Sequence, residues 1–422
     1  MIDDHPDLKS FVLLVPDGAA DLDRADGLSP LAGARTPNTD FLAREGVSGL
    51  MQTLYRDLPR ESMVAQLGML GWDPHLFYPH GRSSCELLAL EQVRPAEAGD
   101  LTFRANLVRM DGSTLVSYSA DFIASPVAAP LIARVNAALR EEFPDFELHH
   151  NADFRNTLVI RGARIDPRHL RCPEPHENHG VDFHLAQLIV GAEPAGRALA
   201  ERINRYLARA AALLAGEPAN ALFPWSASQA FALPPFAEIS GCPGRAAIVG
   251  FMDFLKGIAR AGAMDFERLG NGRPDTDYRA KGAKVVELLA AGYRFVVCHV
   301  NAPDEASHMG DRQMKIDSLE LFDRHVVGPT VAWFQAHPKR LGGVMVAPDH
   351  FTNHRLGKGR ADAHSLHPVP FCLWNGTDRD GVQVFSEDAA LHGRLAAAPV
   401  SHLDLLRILG LREAAVPRQV GS

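Results

Sequence analysis

Three hydrophobic runs in this chain end in the same way. "SFVLLVPDG" (10–18), "FVVCHVNAPDEASH" (295–308) and "GGVMVAPDHF" (342–351) each pass from small and β-branched apolar residues into a proline followed by an aspartate. Short apolar runs of this kind, cut off by turn residues, read as buried strands that end in loops. Between the second and third lies the helical pattern "DRQMKIDSLELFDRHVV", with Ile316, Leu319 and Phe322 on one face. Ahead of the second lies "DYRAKGAKVVELLAAG", which closes on Gly292 as a helix stop. Strands alternating with helices predict an α/β fold, a mostly parallel sheet sandwiched by helices. Ligands in such sheets gather beyond the carboxyl ends of the strands. All three Pro-Asp turns are therefore expected on one edge.

The middle of the chain has a different grammar. "DLTFRANLVRMDGSTLV" and "FRNTLVIRG" alternate like antiparallel strands, and "RALAERINRYLARAAALLAG" is a long amphipathic helix. Residues 93–215 are expected to form an inserted, smaller α+β domain, with 1–92 and 216–422 forming the discontinuous core.

Composition narrows the function classes. The net charge is −8 and no basic block occurs, which argues against nucleic acid and leaves small anions as ligands. Five scattered cysteines without a CxxC fit neither a disulfide framework nor a thiolate metal knot, and suit a reducing cytoplasm. No apolar run reaches membrane-span length. The oligomeric state leaves no mark on the sequence.

The strand ends carry the chemistry. Asp17, Asp304 and Asp349 each follow a strand and a proline, and His308, His350 and His364 lie close behind. Asp304 and His308 are four apart, so one helical turn would put both on one face. Several carboxylates at one edge repel one another unless cations neutralise them, and mixed carboxylate and imidazole donors suit manganese or zinc better than calcium. Two ions close together form a clamp for in-line phosphoryl displacement. Ser62 in "LPRESMVAQLGMLGWDP" precedes an apolar, helix-like run. It is either an ordinary helix cap or a nucleophile activated at a helix N-terminus.

Taken together, these residues resemble the alkaline phosphatase superfamily, and within it the archaeal-type cofactor-independent phosphoglycerate mutases. The likeness runs through "VPDG", "TPNTDFLAREGVSGLM", "LGMLGWDPHLFYPHGR", "FRAN", "PANALFPW", "DFLKGIARAGAM", "PDTDYRAKGAKVVELL", "APDEASH", "VAPDH" and "HPVPF". It implies an alkaline-phosphatase-like core with an inserted domain that closes over a small phosphorylated substrate. It also implies two divalent ions, manganese expected and zinc or magnesium the alternatives. Asp17, Ser62, Asp349 and His350 would hold one ion, and Asp304, His308 and His364 the other. Lys256 matches a lysine that contacts the transferred phosphoryl group. Arg104, Asn106 and Arg155 match insert positions expected to grip the substrate, and Glu177 stands where proton transfer is expected. The implied activity is a glycolytic mutase working through a phosphoserine at Ser62. A hydrolase of a phosphomonoester, phosphonate or sulfate ester is the alternative, and a silent binding protein the third reading.

The chain departs from the family pattern at several points. The family's Gly-Ser-Asp-Thr-Ala-His-Leu reads Glu61-Ser62-Met63-Val64-Ala65-Gln66-Leu67 here, so the serine persists while an acid and an imidazole are replaced. Pro-His-Asp becomes Pro175-His176-Glu177, Thr-His-Thr becomes Ala363-His364-Ser365, and Trp-Gly-x-Gly becomes Trp225-Ser226-Ala227-Ser228. The expected ligands are intact, and the residues around them are not.

Overall fold

The computed structural model describes residues 8–24, 27–78, 81–242, 244–356, 363–409 and 411. The chain divides into two compact units, Met1–Tyr78 with Leu233–Ser422, and Pro79–Ala232. The smaller unit is wider than the expected 93–215 on both sides. Helix Arg82–Leu88 opens it, and strand Ala221–Ser228 pairs antiparallel with Leu101–Asp111 near its end.

The larger unit is built on an 8-stranded sheet in the order Asp265–Arg268, Ala246–Gly250, Phe295–Val300, Ser10–Pro16, Leu341–Val346, Val369–Trp374, Val47–Met51, Leu395–Val400. Only Val369–Trp374 runs against the others. The three strands that end in Pro-Asp are adjacent and parallel, with Ser10–Pro16 in the centre. Every residue of Ser10–Pro16 and of Phe295–Val300 is buried, as a strand covered on both faces requires. Helices Tyr278–Ala290 and Arg312–Phe322 pack Val285, Leu289, Leu319 and Phe322 into one core with Val12, Leu14, Val296 and Cys298. Because the neighbouring strands share a direction, Asp17, Asp304 and Asp349 emerge at one edge.

The smaller unit carries a 5-stranded antiparallel sheet: Thr114–Ser117, Leu101–Asp111, Arg155–Ile160 and Phe146–Ala152 in order, with Ala221–Ser228 on the other side of Leu101–Asp111. Leu101, Phe103, Ala105 and Leu107 alternate onto the face covered by helices Ser125–Leu139 and Pro194–Leu213, whose Leu131, Val135, Ile203 and Leu207 complete a separate core. Thr102, Arg104 and Asn106 point to the opposite face. Among the described residues no helix is long and apolar enough to cross a membrane.

Candidate metal centre

Backbone geometry at the strand end sets the position of Asp17. Gly18 takes a left-handed φ of +59°, and a Cβ there would lie 2.4 Å from Thr352 Oγ1 and 2.6 Å from Asp304 Oδ1. Only glycine fits so close an approach. Its N–H donates to Asp349 Oδ1 at 3.0 Å, which orients that carboxylate from the adjacent strand end.

Two groups of donors meet at this edge, Asp17, Asp349 and His350 in one and Asp304, His308 and His364 in the other. The donor atoms of each lie within 4.8 Å of one another. In the first group, His350 Nε2 is 3.3 Å from Asp17 Oδ1 and 3.7 Å from Asp349 Oδ2, and all three residues are buried. Ser62 Oγ stands 3.2 Å from the same nitrogen. Ser62 is the first residue of helix Ser62–Met69, with Glu61 as its cap, so the hydroxyl sits at the positive end of the helix. In the second group, Asp304 and His308 lie on helix Ala302–His308, one turn apart, with Oδ2 and Nε2 at 3.2 Å. His364 Nε2 is 3.4 Å from Asp304 Oδ1 and 3.2 Å from His308 Nε2. The rings of His350 and His364 stack at 4.0 Å, so the two groups adjoin.

Thr352 links the groups and sets a tautomer. Its hydroxyl donates to Asp304 Oδ1 at 2.6 Å, so its oxygen accepts from His350 Nδ1–H at 3.0 Å. His364 Nδ1–H donates to the Arg60 carbonyl at 2.8 Å. Both imidazoles therefore turn an Nε2 lone pair toward the carboxylates, the arrangement a metal-binding histidine needs.

The electrostatics fit a cation. Burial, reinforced by the Asp349 charge, raises the Asp17 carboxyl well above the usual carboxylate range. Burial opposes ionisation of Asp304 as well, yet His308 and His364 hold it well below that range. Burial pushes His350 down to about 4, which makes it a neutral donor at pH 7. Asp17 Oδ1 is buried without a hydrogen-bond partner. A buried acceptor left in this state, facing a lone pair on nitrogen, is what a divalent ion would satisfy. Asp17, Ser62, Asp349 and His350 would hold one ion, and Asp304, His308 and His364 the other.

The remaining expected residues fall elsewhere. Lys256 is half-buried on helix Asp253–Ala261, which follows strand Ala246–Gly250 at the same sheet edge. In the smaller unit Asn106 sits opposite Arg155 in the sheet. Arg104 is buried, its Nε 2.9 Å from Glu86 Oε2 and its guanidinium 4.3 Å over the Trp225 ring. Both ends of the Asn106 amide are committed, to the Tyr118 carbonyl and to Trp225 Nε1–H, each at 3.0 Å. Asn106 thus ties the Tyr118 backbone to the Trp225 ring, with one N–H and one lone pair of its amide still open. The Arg155 guanidinium lies 4.3 Å over the Phe154 ring. The Glu177 side chain lies outside the described residues.

Ser226 keeps a left-handed φ of +52°, the backbone state that explains a glycine at that position in the family pattern. The Ser228 hydroxyl is buried and accepts from Ser83 Oγ at 2.6 Å. Sequence reasoning missed Thr352, Gly18 and His299. Of these, only Gly18, next to Asp17 in "PDG", had a spacing that could have marked it.

Comparison with known proteins places this architecture. The family model described as 2,3-bisphosphoglycerate-independent phosphoglycerate mutase matches residues 43–220. The chain is 31% identical to the enzyme of that name from Methanothrix thermoacetophila, over 94% of this chain and 99% of the relative. It is 32% identical to 2,3-bisphosphoglycerate-independent phosphoglycerate mutase 2 of Methanothermobacter thermautotrophicus, over 91% and 93%. Among solved structures, the cofactor-independent phosphoglycerate mutase of Thermoplasma acidophilum superposes with a TM-score of 0.61 at 25% identity, covering 96% of this chain and 99% of that one. The PH0037 protein of Pyrococcus horikoshii shares the fold, with a TM-score of 0.73 at 23% identity over 95% and 96%. With relatives matched from end to end, this chain belongs to the 2,3-bisphosphoglycerate-independent phosphoglycerate mutase family.

Proposed function

We propose that the chain is a metal-dependent phosphotransferase that moves a phosphoryl group between hydroxyls of a small phospho-acid, as a phosphoglycerate mutase does, through a phosphoserine at Ser62. The observation that carries this reading is the placing of Ser62 Oγ at a helix N-terminus, 3.2 Å from His350 Nε2 and beside the buried Asp17, Asp349 and His350. Membership in a family of phosphotransferases supports it.

When bound, two divalent ions, manganese expected, would neutralise the carboxylates and stabilise charge on the phosphoryl oxygens. Ser62 Oγ gives up its proton and attacks phosphorus, the bond from phosphorus to the substrate oxygen breaks, and that oxygen takes up a proton in exchange. A second hydroxyl of the same substrate then attacks, the bond from phosphorus to Ser62 Oγ breaks, and the serine is restored. Lys256 supplies a further positive charge to the phosphoryl group. Arg155 and Arg104 of the smaller unit offer guanidinium groups for carboxylate or phosphate. Glu177 is the acid and base for the two hydroxyls. A cytoplasmic, glycolytic role is the setting that matches this chemistry.

A hydrolase acting on a phosphomonoester, phosphonate or sulfate ester is the second reading. Its support is that Met63 and Gln66, both fully buried beside Ser62, replace an acid and an imidazole of the family pattern. Gln66 Nε2 donates toward Asp349 Oδ2 at 3.4 Å but cannot shuttle a proton.

Phosphorus NMR of the manganese-loaded protein with 3-phosphoglycerate, beside Ser62→Ala, tests both readings. The expected result is growth of 2-phosphoglycerate that the variant does not produce. Inorganic phosphate alone would establish the hydrolase. Turnover by Ser62→Ala at the parent rate would remove Ser62 from the mechanism.

A further inference from the structure

His299 is a fully buried imidazole that none of the steps above uses. It is the fifth residue of strand Phe295–Val300 and pairs in register with Val15, two residues before Asp17. Val296, Cys298 and Val300 turn into the core on one face of the strand, so alternation sends His299 to the other, edge-on to Phe254 at 6.3 Å. The Lys281 ammonium, itself fully buried, donates to the His299 carbonyl at 2.8 Å and steadies the backbone there.

Neither ring nitrogen of His299 has a hydrogen-bond partner of good geometry. A neutral imidazole carries one donor and one acceptor, and burying both unmet is costly. Nε2 faces Asp17 Oδ2 at 3.4 Å and Asp349 Oδ2 at 3.9 Å. The opposite oxygen of Asp17, Oδ1, faces His350 Nε2. Asp349 has other donors, Gly18 N–H on Oδ1 and Gln66 Nε2 on Oδ2. His299 Nε2 is thus placed to serve Asp17 Oδ2. It does not belong to the group of donor atoms of Asp17, Asp349 and His350 that lie within 4.8 Å of one another, which leaves it outside the proposed ligand set.

We propose that His299 is a positioning residue of the Asp17, Asp349 and His350 site. Its Nε2 lies 3.4 Å from Asp17 Oδ2, and a small turn of the ring would make Nε2–H a donor to that oxygen, leaving Oδ1 for a cation and restricting the carboxylate to one orientation. The inference rests on the two-ion reading above and adds a residue through which one of the two sites is tuned apart from the other. Groups that hold a ligand from behind in this way typically govern metal affinity by 10- to 100-fold.

The test is manganese binding to the full-length, metal-stripped protein, followed by calorimetry and by electron paramagnetic resonance of free manganese. An Asp304→Asn background leaves the Asp17 site as the one measured. In that background, His299→Leu is expected to weaken binding by about 10- to 100-fold. His299→Gln, which retains a donor of similar reach, should recover most of the loss. With Asp304 restored, the His364 site of His299→Leu should bind as in the parent. Equal affinity of His299→Leu and its background overturns the proposal. Equal losses in the Leu and Gln variants overturn it too, since the donor would then not matter, and so does a matched loss at both sites. If the unaltered protein binds no manganese, the two-ion reading fails and the inference falls with it.

Discussion

At the scale of single residues, Thr352 joins the two donor groups through one oxygen atom, which donates to Asp304 and accepts from His350. The threonine is held in turn by Lys315, a fully buried ammonium that donates to the Thr352 carbonyl at 2.8 Å and pairs with Asp21 at 3.0 Å. Replacing Thr352 with valine keeps the volume and removes the hydroxyl. His350 is then free to adopt the other tautomer, and an Asp304 oxygen loses its donor. The expected outcome is a drop in manganese affinity at both sites, about tenfold or more, beside a loss of about 1–3 kcal/mol in metal-free stability from the buried groups left unmet. Loss at one site alone would show that Thr352 does not couple them. Asp17, Asp304, His308, Asp349 and His350 were legible in the sequence because each sits at a repeated strand ending or a helical spacing, and His364 was picked out through the family resemblance. Thr352 and His299 carried no such signal. A threonine in the two-residue strand Phe351–Thr352 and a lone histidine inside Phe295–Val300 acquire meaning only from what other strands bring against them.

Among secondary-structure elements, local periodicity identified the strands that pair side by side and the long helices, and fell short where pairing joins distant residues. Strand Ala221–Ser228 reaches back to Leu101–Asp111 and so belongs to the smaller unit, a long-range pairing that "ALFPWSAS" does not announce. Helix Arg82–Leu88 is too short for its period to stand out. The same unit has an electrostatic clasp that local patterns also hide. Arg161 donates to Asp100 Oδ2 at 2.9 Å and to both oxygens of Glu147, at 3.0 and 2.7 Å. The Arg161 hydrogen bonds lower the Glu147 carboxyl below its ordinary value. Burial alone would raise Asp100, but backbone donors and Arg161 bring it below. Both folded values are depressed, so the stabilisation is complete above the unfolded carboxylate range near pH 4 and is lost as pH falls through the folded values. Asp100→Asn should therefore cost about 1–3 kcal/mol at pH 7, and the gap from the parent should close toward pH 3. Urea melts across that range provide the check, and a gap constant with pH would assign the loss to packing.

At the scale of the whole molecule, each unit has a hydrophobic core of its own. One is built around Val12, Val296 and Phe322, the other around Phe103, Leu158 and Tyr206. The proposed ion ligands all belong to the larger unit, although its chain is interrupted by the smaller one. Cores that are filled separately predict separate unfolding transitions, so a single free energy would not describe the chain. A ligand that binds only the folded form stabilises by about 2.7 kcal/mol at 100 times its dissociation constant. Manganese at that level should raise one calorimetric transition and leave the other where it was. Phe103→Ala, which removes a fully buried ring from the smaller unit, should cost about 3–5 kcal/mol and lower only the transition that manganese leaves unmoved. One transition shifted by both treatments would mean that the units unfold together and that ion binding is felt across the molecule. Two transitions answering separately would tie ion binding to the larger unit and leave the smaller one free to change, as at Ser226 and Ser228, without cost to the proposed ligands.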